Sequence, residues 1–82
     1  MEERDVVQVL SAADDSVDLI NGVNDGSWNT LNATQDEIND MVQRNVDHLE
    51  IILAYEEVVA DSSDKSSYND AISTGNAYIA AN

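Results

Sequence analysis

Eighty-two residues is the size of one domain, and a chain this short buries only about 60% of the surface it exposes when unfolded, so its core leans on some further support. Cysteine is absent and there is a single His, which removes disulfides and very nearly a structural zinc site, leaving self-association or membership of a larger assembly. Seventeen Asp and Glu against three Lys and Arg give a formal net charge of −14, a surface that repels nucleic acid and anionic membranes and lacks the cations needed to displace phosphate counterions.

The first element expected is a helix over about 2–21. Val6, Leu10, Ala13, Val17 and Ile20 are spaced by four, three, four and three residues, which puts them on one helical stripe that Val9 widens. Glu2, Glu3 and Asp5 supply negative charge to the first turn, and Gly22 is placed to end the helix. The competing reading makes Val6–Leu10 and Val17–Val23 strands, with Asp14-Asp15-Ser16 as their turn.

Residues 22–33 carry Asn, Asp, Gly, Ser and Thr around the sole Trp, a turn-forming composition that predicts a loop. Trp28 and Leu31 are expected to fold back onto the bundle as a lid; the functional alternative is an exposed Trp28 that anchors a partner. No register of the two loop glycines gives a calcium-binding pattern, because Asn21 or Val17 then takes the first position and Asn32 or Trp28 the twelfth.

A second helix is predicted over about 34–58. Thr34 and Glu37 form the T-x-x-E pattern of a capping box, with Gln35 and Asp36 in the first turn. Ile38, Met41, Val42, Val46, Leu49, Ile52 and Leu53 then hold an unbroken apolar face. An end at Glu57 or Val59 would make this helix about 24 residues, or ~36 Å long, more than a small bundle needs. Ile51, Tyr55, Val58 and Val59 fall partly off the main stripe and predict a second, outward contact surface. A third helix follows over about 65–80, where Tyr68, Ala71, Ile72, Gly75 and Ile79 share a stripe. Gly75 on that stripe costs about 1 kcal/mol relative to Ala, which close approach of another helix would offset.

The fold class expected is therefore all-α: a small antiparallel three-helix bundle with a long central helix. No catalytic, cofactor-binding or metal-ligating set is expected within it. His48 is the only imidazole and lies mid-helix, where a boundary role suits it. The sequence holds no G-x-S-x-G, H-E-x-x-H, C-x-x-C or phosphate-cradling loop. The acidic pairs Glu2-Glu3, Asp14-Asp15, Asp36-Glu37 and Glu56-Glu57 read as solvated faces, and Asp40 and Asp47 flank Arg44 as a modest helix ion-pair cluster. The chain opens on charged residues, so no secretory leader is expected, and no apolar run approaches a membrane span.

Three explanations fit the acidity: a basic protein partner, imitation of nucleic-acid phosphates, and adaptation to molar salt, where the Debye length of ~3 Å removes self-repulsion. Ser27-Trp28-Asn29-Thr30-Leu31, Thr34-Gln35-Asp36-Glu37, Arg44-Asn45-Val46-Asp47-His48-Leu49-Glu50-Ile51 and Gly75-Asn76-Ala77-Tyr78-Ile79 together resemble short proteins encoded by tailed viruses of bacteria and archaea. The resemblance covers roughly the last two thirds of the chain and does not extend to the first helix. It implies a non-enzymatic accessory or structural part of a virion, on capsid or tail, in a virus of a salt-loving host. The partners expected are other virion proteins or copies of the chain itself, with no direct nucleic acid and no membrane. The contact residues expected are Trp28, Ile51, Tyr55, Val58 and Val59. The alternative function is an acidic nucleic-acid mimic acting on a host enzyme in the host cytoplasm, with Asp36, Asp40, Asp47 and Glu50 as its charge row.

Overall fold

The computed structural model describes the backbone over residues 3–55 and 62–82, and side chains over 8–55 and 64–82. It contains three helices: α1 (Glu3–Asp25), α2 (Gln35–Leu53) and α3 (Ser62–Ala81). Each packs against the other two. No strand occurs among the described residues, so the segments 6–10 and 17–23 are helical and the ribbon alternative is set aside. The chain is an all-α three-helix bundle, with extents of 39 × 20 × 18 Å. Gln35 at the start of α2 donates from Nε2 to the Tyr78 hydroxyl near the end of α3 at 2.9 Å, which fixes those two helices as antiparallel.

The stripes meet as their spacing requires. Ala13, Ile20 and Val23 from α1, Ile38, Val42, Val46, Leu49 and Ile52 from α2, and Tyr68 and Ala71 from α3 form the buried core. Leu10, Val17, Met41, Leu53, Ile72 and Ile79 pack around it, partly covered. Gly75 is buried in a crowded spot: a Cβ built there would lie 2.5 Å from Val46 Cγ2, 3.2 Å from Val42 Cγ1 and 3.4 Å from Ile20 Cγ2. The neighbours are valine and isoleucine methyls rather than a helix backbone, but the crowding that tolerates a mid-helix glycine is real.

Three boundaries differ from expectation. Helix α1 passes through Gly22 and ends at Asp25, because continuing one further turn buries Val23. Gly26, at φ 85°, is the residue that leaves the helix, in a backbone region where a Cβ is strained. Helix α2 stops at Leu53 rather than at 57–59 and, at 19 residues, is shorter than α1 and α3, so the central helix is not the long rod its apolar pattern suggested. Its last turn tightens, with the Ala54 amide donating to Ile51 O at 3.1 Å and the Tyr55 amide to Ile52 O at 3.0 Å. Helix α3 begins at Ser62, three residues before the expected start.

At the other end of α2 the capping box forms as its pattern demands. Thr34 Oγ1 accepts from the Glu37 amide at 3.1 Å, and Glu37 Oε1 accepts from the Thr34 amide at 3.4 Å. The Thr34 hydroxyl also donates to Glu37 Oε1 at 3.0 Å. Asp36 and Glu37 stand in the first turn, where they suit the positive end of the helix dipole.

Candidate interaction surface

Among the described residues four large apolar side chains remain exposed: Leu31 (89%), Ile51 (58%), Tyr55 (51%) and Trp28 (41%). Ile51 neighbours the core residue Ile52 on the helix but is turned about 100° away from it, and Tyr55 emerges just beyond the last turn. Both lie at the α2–α3 end of the bundle. Trp28 and Leu31 lie in the α1–α2 connection at the opposite end, since Gln35 and Ile51 are separated by sixteen helical steps, or about 24 Å. The predicted contact residues are therefore divided between two patches. Val58 and Val59, the remaining pair, fall outside the described residues.

The connection from Gly26 to Thr34 is built by its own polar groups. Asp25 Oδ1 accepts from the Ser27 amide at 2.8 Å, and the bonds from Ser27, side chain first and backbone second, hold the Asp25 carboxyl below its ordinary value. The Trp28 amide donates to Gly22 O at 3.0 Å, which sets the indole over the helix: a Cβ on Gly22 would meet Trp28 Cβ and Cε3 at 3.3 Å. Gly22 thus seats Trp28 instead of ending α1. Asn29 Oδ1 accepts from the Leu31 amide at 3.1 Å, and Thr30 O accepts from the Ala33 amide at 3.1 Å. This turn aims Leu31 into solvent, correcting the expectation that it closes over the core with Trp28.

Polar chemistry inside the bundle centres on two side chains. Ser16 is buried on the α1 stripe, with 3% of its surface exposed, and its Oγ lies 2.9 Å from His48 Nδ1 on α2. A hydroxyl within hydrogen-bond reach of an imidazole is the first element of an activated nucleophile. Here the hydroxyl is covered, and the contact joins α1 to α2. Sequence reasoning missed the pair, although Ser16, three residues after Ala13 and four before Ile20, was a polar residue on a core stripe and needed a partner.

Among the described residues Tyr68 is the largest fully buried side chain, and its hydroxyl has no hydrogen-bond partner there. Burial, followed by the nearby Asp14 and Asp64 carboxylates, pushes its phenol up to about 12. Asp14 is near enough to act on the hydroxyl but not in bonding geometry.

Asp36, Asp40, Asp47 and Glu50 are all exposed. Arg44 Nε pairs with Asp40 Oδ2 at 3.0 Å, whereas Asp47 accepts from Gln43 Nε2 at 2.9 Å, so the expected three-residue cluster is reduced to one exposed pair of small energetic weight. Among the described residues no group of three or more His, Asp or Glu is placed to hold a metal ion, and no helix is long and apolar enough to cross a membrane. Comparison with protein-family models, with curated proteins and with solved structures finds no match.

Proposed function

We propose that this chain is a non-enzymatic assembly protein, working through protein–protein contact, and that its setting is the capsid or tail of a virion. The observation that carries the first part is the exposure of Ile51 and Tyr55, 58% and 51%, beside a helix whose remaining large apolar residues are covered. In a chain with so few residues for a core, such side chains are more useful against another molecule than in water. Trp28 supplies a further apolar contact at the opposite end. The virion setting comes from the resemblance of the segments 27–31, 34–37, 44–51 and 75–79 to short proteins of tailed viruses. The high negative charge suits a particle that keeps its parts dispersed until assembly, or a medium salty enough to screen them.

The test is size-exclusion chromatography with light scattering at 0.1 M and 1 M NaCl, alone and with any shell or tail protein that a neighbouring gene encodes. The expected result is an assembly, or a complex with one of those proteins, that Ile51→Ser combined with Tyr55→Ala weakens while the helical circular dichroism is kept. A monomer under every condition, indifferent to those two substitutions, would remove the proposal. Capture of a basic nucleic-acid enzyme in place of structural proteins, with affinity falling steeply in salt, would instead favour the phosphate mimic. The Arg44–Asp40 pair interrupts the carboxylate row that such a mimic requires.

A further inference from the structure

We infer that the α1–α2 connection is a preordered docking tip, with Leu31 and Trp28 as its apolar anchors, for a protein partner whose apolar recess is bordered by Lys or Arg. The inference rests on the reading that the chain acts by binding a protein, and adds a second surface and the chemistry of its occupant.

Three observations support it. The first is the disposition of Leu31: its side chain is 89% exposed while its amide is held by Asn29 Oδ1 at 3.1 Å. An outward leucine on a floppy loop would be unremarkable, since single exposed apolar residues are common. Here bonds at Ser27, Trp28, Leu31 and Ala33 hold the connection, and the capping box ties its last residue to α2. Binding would then order little backbone that is not already ordered, which lowers the entropic cost of association. The second is Trp28, three residues away and therefore within about 11 Å of chain. It rests on Gly22 yet leaves 41% of its surface to solvent. A rigid, half-seated indole is the type of residue that dominates binding energy.

The third observation selects the occupant. The carboxylates of Asp25, Asp36 and Glu37 border the connection and are exposed, and no Lys, Arg or His lies anywhere between Arg4 and Arg44. A second copy would bring the same negative border against this one, a like-charge juxtaposition that disfavours self-contact at this end. A recess edged with Lys or Arg meets both the apolar centre and the acidic rim. Charge would steer the encounter and Leu31 and Trp28 would hold the complex.

Trp28 is the only tryptophan, so its emission reports directly on this surface. The probe is a synthetic amphipathic helical peptide with a leucine face bordered by lysines; the comparisons are its Leu/Glu counterpart and polylysine. The Leu/Lys peptide is expected to shift Trp28 emission to the blue, saturably, with affinity falling between 0.1 M and 0.5 M NaCl. Leu31→Ser should weaken it at least tenfold while leaving the circular dichroism and melting temperature in place, because the side chain removed is outside the core.

Equal affinity in Leu31→Ser overturns the inference, as does an equal response to the Leu/Glu peptide or to polylysine. A blue shift that grows with protein concentration alone overturns it in favour of a second copy. Ile51→Ser with Tyr55→Ala separates the two surfaces. If only those substitutions weaken binding, the tip fails and the α2–α3 surface stands. If only Leu31→Ser weakens it, the tip stands, and the α2–α3 surface is judged separately by the light-scattering assay. Binding unaffected by either overturns the tip and leaves the α2–α3 surface to its own assay.

Discussion

Replacing Gly75 with alanine sets two well-characterised effects against each other. Helix propensity favours the change: alanine in a helix interior is better than glycine by about 0.8–1.0 kcal/mol. Packing opposes it. The new Cβ would stand 2.5 Å from Val46 Cγ2, about 1 Å inside ordinary carbon–carbon contact. Val46 cannot simply rotate away. It is β-branched, and thus stiff about χ1 within a helix, it is 1% exposed, and the same Cβ is already crowded by Val42 Cγ1 at 3.2 Å and Ile20 Cγ2 at 3.4 Å. Overpacking of this kind costs roughly 1–3 kcal/mol, so the net expectation is a loss of about 1 kcal/mol, with the melting temperature falling by about 4–8 °C in a domain of this size. Urea unfolding followed by far-UV circular dichroism measures it. The decisive arm is a double-mutant cycle: in a Val46→Ala background the worst clash is gone while the contact with Val42 Cγ1 remains, and Gly75→Ala should cost markedly less than in the wild type, or become stabilising. A gain of about 1 kcal/mol from Gly75→Ala in the wild-type background would show that α2 and α3 are not in close contact there, and the reasoning would fail.

Two further changes test other parts of the fold. Thr34→Ala removes the side-chain acceptor for the Glu37 amide and should cost about 1 kcal/mol in the same urea assay, whereas Thr34→Ser should cost much less; equal losses would mean the hydroxyl is not the stabilising group. Tyr68, with its phenol raised to about 12 from an ordinary 10.0, holds its proton more tightly folded than unfolded, so its contribution to stability is complete below the unfolded value and is lost as pH rises from there through the folded value. Stability should therefore decline across that alkaline window, and Tyr68→Phe should remove this component and also relieve the unpaired hydroxyl, leaving stability at neutral pH unchanged or improved. A marked loss at neutral pH in Tyr68→Phe would show that the hydroxyl has a partner in solution.

Helicity, three stripes and the start of α2 were legible in the residues themselves. A 3.6-residue period is a property of consecutive positions, so Val42, Val46, Leu49 and Ile52 identify a buried face before any partner is known. The capping box is equally local, since Thr34 and Glu37 satisfy each other's backbone within four residues. Even the crowding at Gly75 was signalled by a glycine on an apolar stripe.

The helix ends and the surface were decided by packing over longer range. Gly22 and Gly26 are both plausible terminators by type; burial of Val23 and the seating of Trp28 on Gly22 make the second the end. No proline or glycine stands near Leu53, so the end of α2 there carries no local signal of residue type and is seen only in the tightened bonds of Ala54 and Tyr55. Ser16 and His48, 32 residues apart, become partners only when α1 and α2 lie side by side. The same holds for Leu31. Its apolar character is visible in the sequence, but the direction in which it points depends on the Asn29 turn and on the space that three packed helices leave unfilled, because burial is a property of neighbours and not of a residue alone.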